Sequence, residues 1–417
     1  MRILHTSDWH IGKKLNGKTR LDEQRDVLYE IADICDKESV DLVLVAGDVY
    51  DTYTPSAEAE ELFFETVAHI ASPYRAVAVI SGNHDDWQRL CASDVLASRA
   101  NAYVFGGEKT PLCGKPTANV GAGNKSGDFV SGDKNATENK KAVYAVRTGK
   151  RFCVIKKGDE QIYVGVLPYP TEKRFGEAKD DTPFGEKMSR WIGECFENNT
   201  DGLPQILMSH IFMLGGVSTD GERQIDLGGT RAVDRNLIPD NCLYTALGHL
   251  HKRQVIDTKR NIIYSGAILE YGFDEAGVEK SVTVFDINNG QVENLHTVPL
   301  EKGKKLGRFS ALSAEQGETI VAANADVWAE LTLYLNAPLS ERETKRLISL
   351  PNLAELCIER NNYTTEQTGE DRRKMDEKTA FIEYYKSRYN CDPPEDLLNA
   401  YLSLINGGLY ETVATYN

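Results

Sequence analysis

Along the first 300 residues, short apolar runs alternate with stretches whose apolar positions recur every three or four residues. Residues 22–39 place Val27, Leu28, Ile31, Ile34 and Cys35 at that spacing, which predicts an amphipathic helix. Residues 56–72 predict a second one, with Ser56 as N-cap directly after Pro55. The apolar runs at 2–7, 40–48, 75–85, 161–169, 204–210, 243–249, 261–266 and 281–287 have the length and β-branched content of strands. Strand and helix alternate first and further strands follow, which predicts an α/β fold with a largely covered sheet.

The pattern changes past residue 275 or so. Residues 281–336 hold three β-type runs separated by polar turns, and 338–350 predict a helix with Ser340 at its N-cap and Glu343 three positions on. A small α+β domain over 276–358 is expected. Residues 359–417 then comprise a polar linker and two helices, 376–389 and 392–408. The second of these starts on Asp392 and Pro393, with an apolar stripe of Leu397, Leu398, Tyr401, Leu402 and Ile405. These helices either pack on their own domain or present an apolar face to a partner. Residues 114–142 are rich in Gly, Asn, Lys, Ser and Thr and read as an inserted loop.

At 417 residues the chain is long enough for two or three domains. The start of the chain lacks the apolar stretch of a signal peptide, no run approaches a membrane span, and the eight cysteines include no C-x-x-C pair. A cytoplasmic chain with reduced thiols is expected. The net charge of −15 argues against binding nucleic acid by bulk attraction. It leaves room for local basic surfaces, and two runs qualify. Residues 11–21 hold four Lys or Arg and no acid, and residues 140–157 hold seven and no acid. Such runs are commonly solvated faces.

The chemistry gathers at strand ends. Of eight histidines, five lie in short polar clusters that close an apolar run: "SDWH" with Asp8 and His10, "SGNHDD" with Asn83 and His84, "LMSH" with His210, and "ALGHLH" with His249 and His251. "AGDVYD" adds Asp48 and Asp51. In an open α/β sheet the carboxyl ends of strands converge on one edge. Carboxylate, imidazole and carboxamide without thiolate suit Mn, Fe, Zn or similar divalent ions. Seven side chains with one bridging carboxylate would fill two sites, the clamp used for phosphoester hydrolysis.

The order D-x-H, G-D-x-x-D, G-N-H-D, a single His and G-H-x-H resembles the calcineurin-like metallophosphoesterase superfamily. "ILHTSDWHIGKKL", "LVLVAGDVYDTYTPS", "VISGNHDD", "YTALGHLHKRQ" and "NIIYSGAILEYGFDE" look like its branch of bacterial nuclease subunits that work with an SbcC-type coiled-coil ATPase. The resemblance covers residues 1–275. It implies a four-layer α/β/β/α sandwich, a small DNA-binding capping domain and a helical tail that binds the ATPase. It implies that Asp8, His10 and His251 hold one metal, that Asn83, His210 and His249 hold the other, and that Asp48 bridges both. His84 would stand over the scissile phosphate and serve the departing 3′ oxygen. Asp51 stands where some archaeal relatives carry a histidine, so no role passes to it from them.

The resemblance further implies manganese as the metal pair and a homodimer of nuclease subunits within a heterotetramer. The activity it implies is 3′-to-5′ exonuclease action on duplex DNA and endonuclease action on single-stranded and hairpin DNA, in recombination, replication and repair. Neutral imidazoles on metals need acceptors behind them, for which Asp51, Asp85 and Asp86 are candidates. Lys13, Lys14 and Arg20 are expected to meet DNA beside the metals. A phosphoesterase acting on nucleotides or other small diesters is the alternative. The G-D-x-V-D-R-G of protein phosphatases is absent, since Gly47-Asp48 is followed by "VYDTYT". A catalytically dead scaffold is the third reading.

Overall fold

The computed structural model describes residues 1–113, 142–178, 181–219 and 231–360, and short stretches between 378 and 402. It divides into two compact units, Met1–Glu359 and Arg360–Asn417. The predicted insertion at 114–142 lies, but for its last residue, outside the described residues.

In chain order the elements begin β1 (Arg2–Thr6), α1 (Leu21–Lys37), β2 (Leu42–Ala46), α2 (Ala57–Ile70), β3 (Ala76–Ile80), α3 (Trp87–Leu90), α4 (Asp94–Arg99) and β4 (Ala102–Phe105). There follow β5 (Val143–Gly149), β6 (Phe152–Lys157), β7 (Glu160–Leu167), α5 (Phe184–Glu194), β8 (Gln205–His210), β9 (Cys242–Gly248), β10 (Gln254–Asp257) and β11 (Ile262–Tyr264). The last are β12 (Ser281–Asn288), β13 (Gln291–Pro299), β14 (Leu306–Ala311), α6 (Ala314–Ala323), β15 (Trp328–Leu335), α7 (Glu341–Ile348) and β16 (Leu353–Arg360).

Three sheets form, in the orders β13-β12-β1-β2-β3-β4, β10-β11-β9-β8-β7-β6-β5 and β14-β15-β16. Period-two geometry explains why the strand runs are apolar throughout. Leu42, Leu44 and Ala46 of β2 face the second sheet and pack with Val164, Ile206, Met208 and Ala246. Val43 and Val45, between them, face α1 and α2 and pack with Leu28, Ile31, Leu62 and Phe63. On the far side, Leu207, Leu247 and Tyr264 pack under Met188, Trp191 and Ile192 of α5. The result is the four-layer α/β/β/α sandwich. Each large apolar side chain buried this way contributes about 1.5–3 kcal/mol against exposure.

Capping chemistry sets the helix ends. Ser56 accepts from Ala59 N–H at the start of α2, and Ser340 and Glu343 form a reciprocal capping box at α7. Helices α5 and α6 were not expected from the sequence.

The expected boundary at 275/276 does not hold. β12 pairs antiparallel with β1, in the register Ile3↔Phe285 and His5↔Thr283, and β13 extends that sheet outward. Strands from residues 281–299 therefore complete the first sheet. The separate small layer starts at β14, where α6 and α7 cover the three-stranded sheet through Val321, Leu331, Leu333 and Leu347. Leu306 and Trp328 pack it against Leu15 and Phe273.

From residue 143 on, the basic run 140–157 forms the β5–β6 hairpin at a sheet edge. Arg147 pairs with Asp201, Lys150 with Glu108, Arg151 with Glu194 and Lys157 with Asp41. These cations are paired on a solvated face. In the second unit, the described residues of the expected helix 376–389 are helical, as are 397, 398, 401 and 402 of the expected helix 392–408, whereas its start at 392–394 is not, and Phe381 stacks on Tyr401 at 4.0 Å. The rest of those helices lies outside the described residues. Among the described residues, no helix is long and apolar enough to cross a membrane.

Candidate metal centre

The loops after β1 and β2 run side by side beyond the sheet. Asp8 N–H donates to Gly47 C=O at 3.0 Å, His10 N–H to Asp48 C=O at 3.0 Å and Ile11 N–H to Val49 C=O at 2.9 Å. This zipper sets Asp8, His10 and Asp48 next to one another. Asn83 and His84 arrive from the end of β3, His210 is the last residue of β8, and His249 and His251 follow β9. Two glycines make the convergence possible. A Cβ on Gly248 would lie 2.0 Å from Ala46 O and 2.9 Å from His210 Nδ1, and one on Gly82 would lie 2.1 Å from Asp48 Oδ1. Asp8, His10, Asp48 and His249 all take positive φ, at 52°, 44°, 49° and 109°. Non-glycine residues in that region are uncommon and cluster at functional sites.

All seven expected ligands and His84 are buried and adjacent. Ligand atoms of Asp8, His10 and His251 lie within 4.8 Å of one another, as do those of Asp8, Asp48 and His210. Asn83 Oδ1 is 2.9 Å from His210 Nε2 and 3.0 Å from His249 Nδ1. Asp48 stands between the two groups, with Oδ2 3.6 Å from His10 Nε2 and 3.4 Å from His210 Nε2. Its Oδ1 accepts from His84 N–H at 2.8 Å, which fixes the carboxylate.

Nitrogen and oxygen ligand atoms face one another here, and that tests whether the residues suit a cation. His210 Nδ1 sits 2.8 Å from Ala46 C=O and must carry the hydrogen, so in the neutral ring Nε2 turns a lone pair toward Asn83 and Asp48 oxygens. His251 Nδ1 sits 3.0 Å from a Glu275 carboxylate oxygen, so Nε2 is again the unprotonated nitrogen, and it lies 3.1 Å from His10 Nε2. A positive centre at each meeting point would find oxygen and nitrogen ligand atoms already turned toward it. The residues fit divalent ions.

Protonation follows the same logic. Burial pulls His210 down, yet the Asp48 carboxylate outweighs it and raises His210 to about 9. A proton on its Nε2 then does what a cation would do. Burial pulls His249 down to about 3. Burial, with Asp48 adding to it, pushes Asp8 up to about 6.

His84 turns Nδ1 to Asp51 C=O at 2.7 Å, and its ring stands edge-on to His10 at 4.7 Å. Of the candidate acceptors behind the imidazoles, Asp51 is nearest its task, with Oδ1 3.7 Å from His10 Nδ1 and 3.0 Å from Lys13 Nζ. Asp85 instead accepts from the backbone N–H groups of Val49, Tyr50 and Gly82 and ties the β2 loop to the β3 loop. Burial, then Asp48, pushes it up to about 6. Asp86 caps α3 through Gln88 N–H and Arg89 N–H.

The three expected DNA contacts part company. Lys14 is exposed and lines a cavity of about 400 Å³ beside Asp51, Thr52 and Ser56. Lys13 is engaged with Asp51. Arg20 is 2% exposed and cannot meet a phosphate: its guanidinium donates to Glu23 and to the carbonyls of Glu270 and Lys304. Sequence reading gave no role to Glu275, the last residue of the stretch "NIIYSGAILEYGFDE", because neither spacing nor strand-end position marked it.

Known proteins share this geometry's sequence signature. Residues 1–253 match the calcineurin-like phosphoesterases. The D-subunit of the SbcCD nuclease from Bacillus subtilis (strain 168) is 33% identical, over 98% of this chain and 98% of its own length. Its namesake from Rhodobacter capsulatus is 31% identical over 78% of this chain and 75% of its own, and that from Staphylococcus epidermidis 27% over 93% of each. The chain belongs to the calcineurin-like phosphoesterases and, among them, to the D-subunit family of the SbcCD nucleases.

Proposed function

We propose that the chain is a metal-dependent DNA nuclease that hydrolyses phosphodiesters, shortening duplex ends 3′-to-5′ and opening single-stranded and hairpin DNA. The observation that carries this reading is the buried cluster of Asp8, His10, Asp48, His210 and His251, whose ligand atoms lie within 4.8 Å of one another in groups of three, with Asn83 Oδ1 beside His210 and His249. Asp8, His10 and His251 would hold one ion, Asn83, His210 and His249 the other, and Asp48 would bridge them. Two divalent ions held there, manganese by preference, would supply an activated water and polarise the phosphoryl oxygens.

The remaining work falls to the chain's own groups. His84 has its Nδ1–H held on Asp51 C=O, so it is the Nε2–H of the protonated ring that would pass to the departing 3′ oxygen. Asp51 holds Lys13 by an ion pair. Lys14 meets a backbone phosphate at the rim, a local contact compatible with the acidic total.

The relatives' names point to a complex with an SbcC-type ATPase. The second unit, with the Phe381–Tyr401 stack, supports a tail that docks on it. A homodimer of nuclease subunits is part of the same reading. Residues 306–360 would form the cap over DNA.

End-labelled hairpin and duplex DNA, with Mn²⁺ and with or without the ATPase and ATP, test the reading. Bis-p-nitrophenyl phosphate and cyclic nucleotides run in parallel. Hairpin opening and 3′ shortening are expected. Turnover of small diesters with DNA left intact would replace the reading with the small-substrate alternative.

A further inference from the structure

Glu275 lies 24 residues beyond His251 and past residues 1–253, which match the calcineurin-like phosphoesterases. It is fully buried, and its partner Lys280 is 4% exposed. Glu275 Oε1 receives His251 Nδ1 at 3.0 Å, and Oε2 receives Lys280 Nζ at 2.5 Å. Lys280 Nζ also donates to the backbone carbonyl of His251 at 3.0 Å. One ion pair thus grips the same histidine by its ring and by its main chain.

We infer that Glu275 is a positioning residue for His251, setting its tautomer and ring angle, and that Lys280 holds Glu275 to that task. The inference rests on the metal-centre reading. A buried ion pair is a weak device for stability, because desolvating both charges offsets most of their attraction. An apolar pair of the same volume would hold the turn as well. What it would not do is require hydrogen on His251 Nδ1 and keep Nε2 unprotonated toward Asp8 and His10. A carboxylate behind an imidazole also makes the ring a stronger ligand. His210 has only a peptide carbonyl behind it, so the two ion sites differ in their support.

The test uses the full chain, Mn²⁺ titration calorimetry, and NMR of ¹⁵N-labelled histidine in the metal-free protein, with His251 assigned through His251→Gln. Glu275→Gln should weaken one Mn²⁺ site about 10–100-fold and move His251 off the Nδ1–H tautomer. Glu275→Gln combined with Lys280→Met removes the stranded ammonium and keeps the chain folded, with the same two effects expected. A folded double variant with wild-type Mn²⁺ affinity and an unchanged His251 tautomer overturns the inference, even if its melting temperature drops. Wild-type protein that takes up no Mn²⁺ overturns the metal-centre reading, and this inference with it.

Discussion

Arg20→Lys separates a structural bolt from a DNA contact. The guanidinium reaches Glu23 through Nε at 3.2 Å and Nη2 at 2.8 Å, Glu270 C=O through Nη1 at 2.5 Å and Lys304 C=O through Nη2 at 3.1 Å. An ammonium keeps the charge but is a single point, and it cannot span a carboxylate and two carbonyls. Two charge-assisted bonds are lost, at about 1.5–3 kcal/mol each, so roughly 3–6 kcal/mol is expected. Unfolding entropy of about 2 cal/mol/K per residue converts this to a fall of roughly 4–8 °C in a unit of this size. Thermal unfolding followed by circular dichroism measures it. DNA affinity titrated against salt provides the contrast: Arg20→Lys keeps the wild-type slope, while Lys14→Ala keeps the melting temperature and lowers the slope by about 1. An unchanged melting temperature in Arg20→Lys, with the slope reduced, would refute the assignment and return Arg20 to the DNA-binding rim.

Three other outcomes are expected. His84→Gln retains both Mn²⁺ sites by calorimetry and loses about 10²–10⁴-fold in cleavage rate, the range for a removed proton donor; normal cleavage would take His84 out of the mechanism. Gly248→Ala drives a methyl group to within 2.0 Å of Ala46 O, and overpacking of about 1–3 kcal/mol or more should appear in denaturant unfolding together with weaker Mn²⁺ binding. For Glu275, burial opposes the charge, yet His251 and Lys280 outweigh it and lower the group from 4.5 to about 2. A depressed carboxyl stabilises the fold above its unfolded value and loses that contribution as pH falls. Metal-free wild type should therefore lose about 2 kcal/mol more than Glu275→Gln between pH 5 and pH 3, and parallel stability curves would contradict this.

The sequence revealed the residues at strand ends because two local rules act there together. A buried strand must be apolar, and its carboxyl end must turn; a histidine or aspartate at that junction stands out against both. Asp8, His84 and His251 were legible for this reason. Glu275 was not, because its role depends on a turn folding back onto His251 rather than on any periodic neighbour. Arg20 was misread because a run of cations looks the same whether its members face water or, as here, two carbonyls and a carboxylate. The second-domain boundary was misplaced because β12 finds β1 across nearly 280 residues, and no local pattern records that pairing. Helix α5, which carries the buried Trp191, was overlooked because its short apolar stripe is flanked by polar turns.

The positive φ angles of Asp8, His10, Asp48 and His249 bear on how this protein can be improved. Each such conformation costs on the order of 1–3 kcal/mol in a non-glycine residue. Glycine or asparagine at Asp8 would relax one of them and remove a buried carboxylate at the same time. Screens that select only for a higher melting temperature of the metal-free chain would therefore drift toward substitutions at the very positions that do the chemistry. A thermostable variant of this enzyme is best selected with the metal present, where the same backbone is held by what it binds.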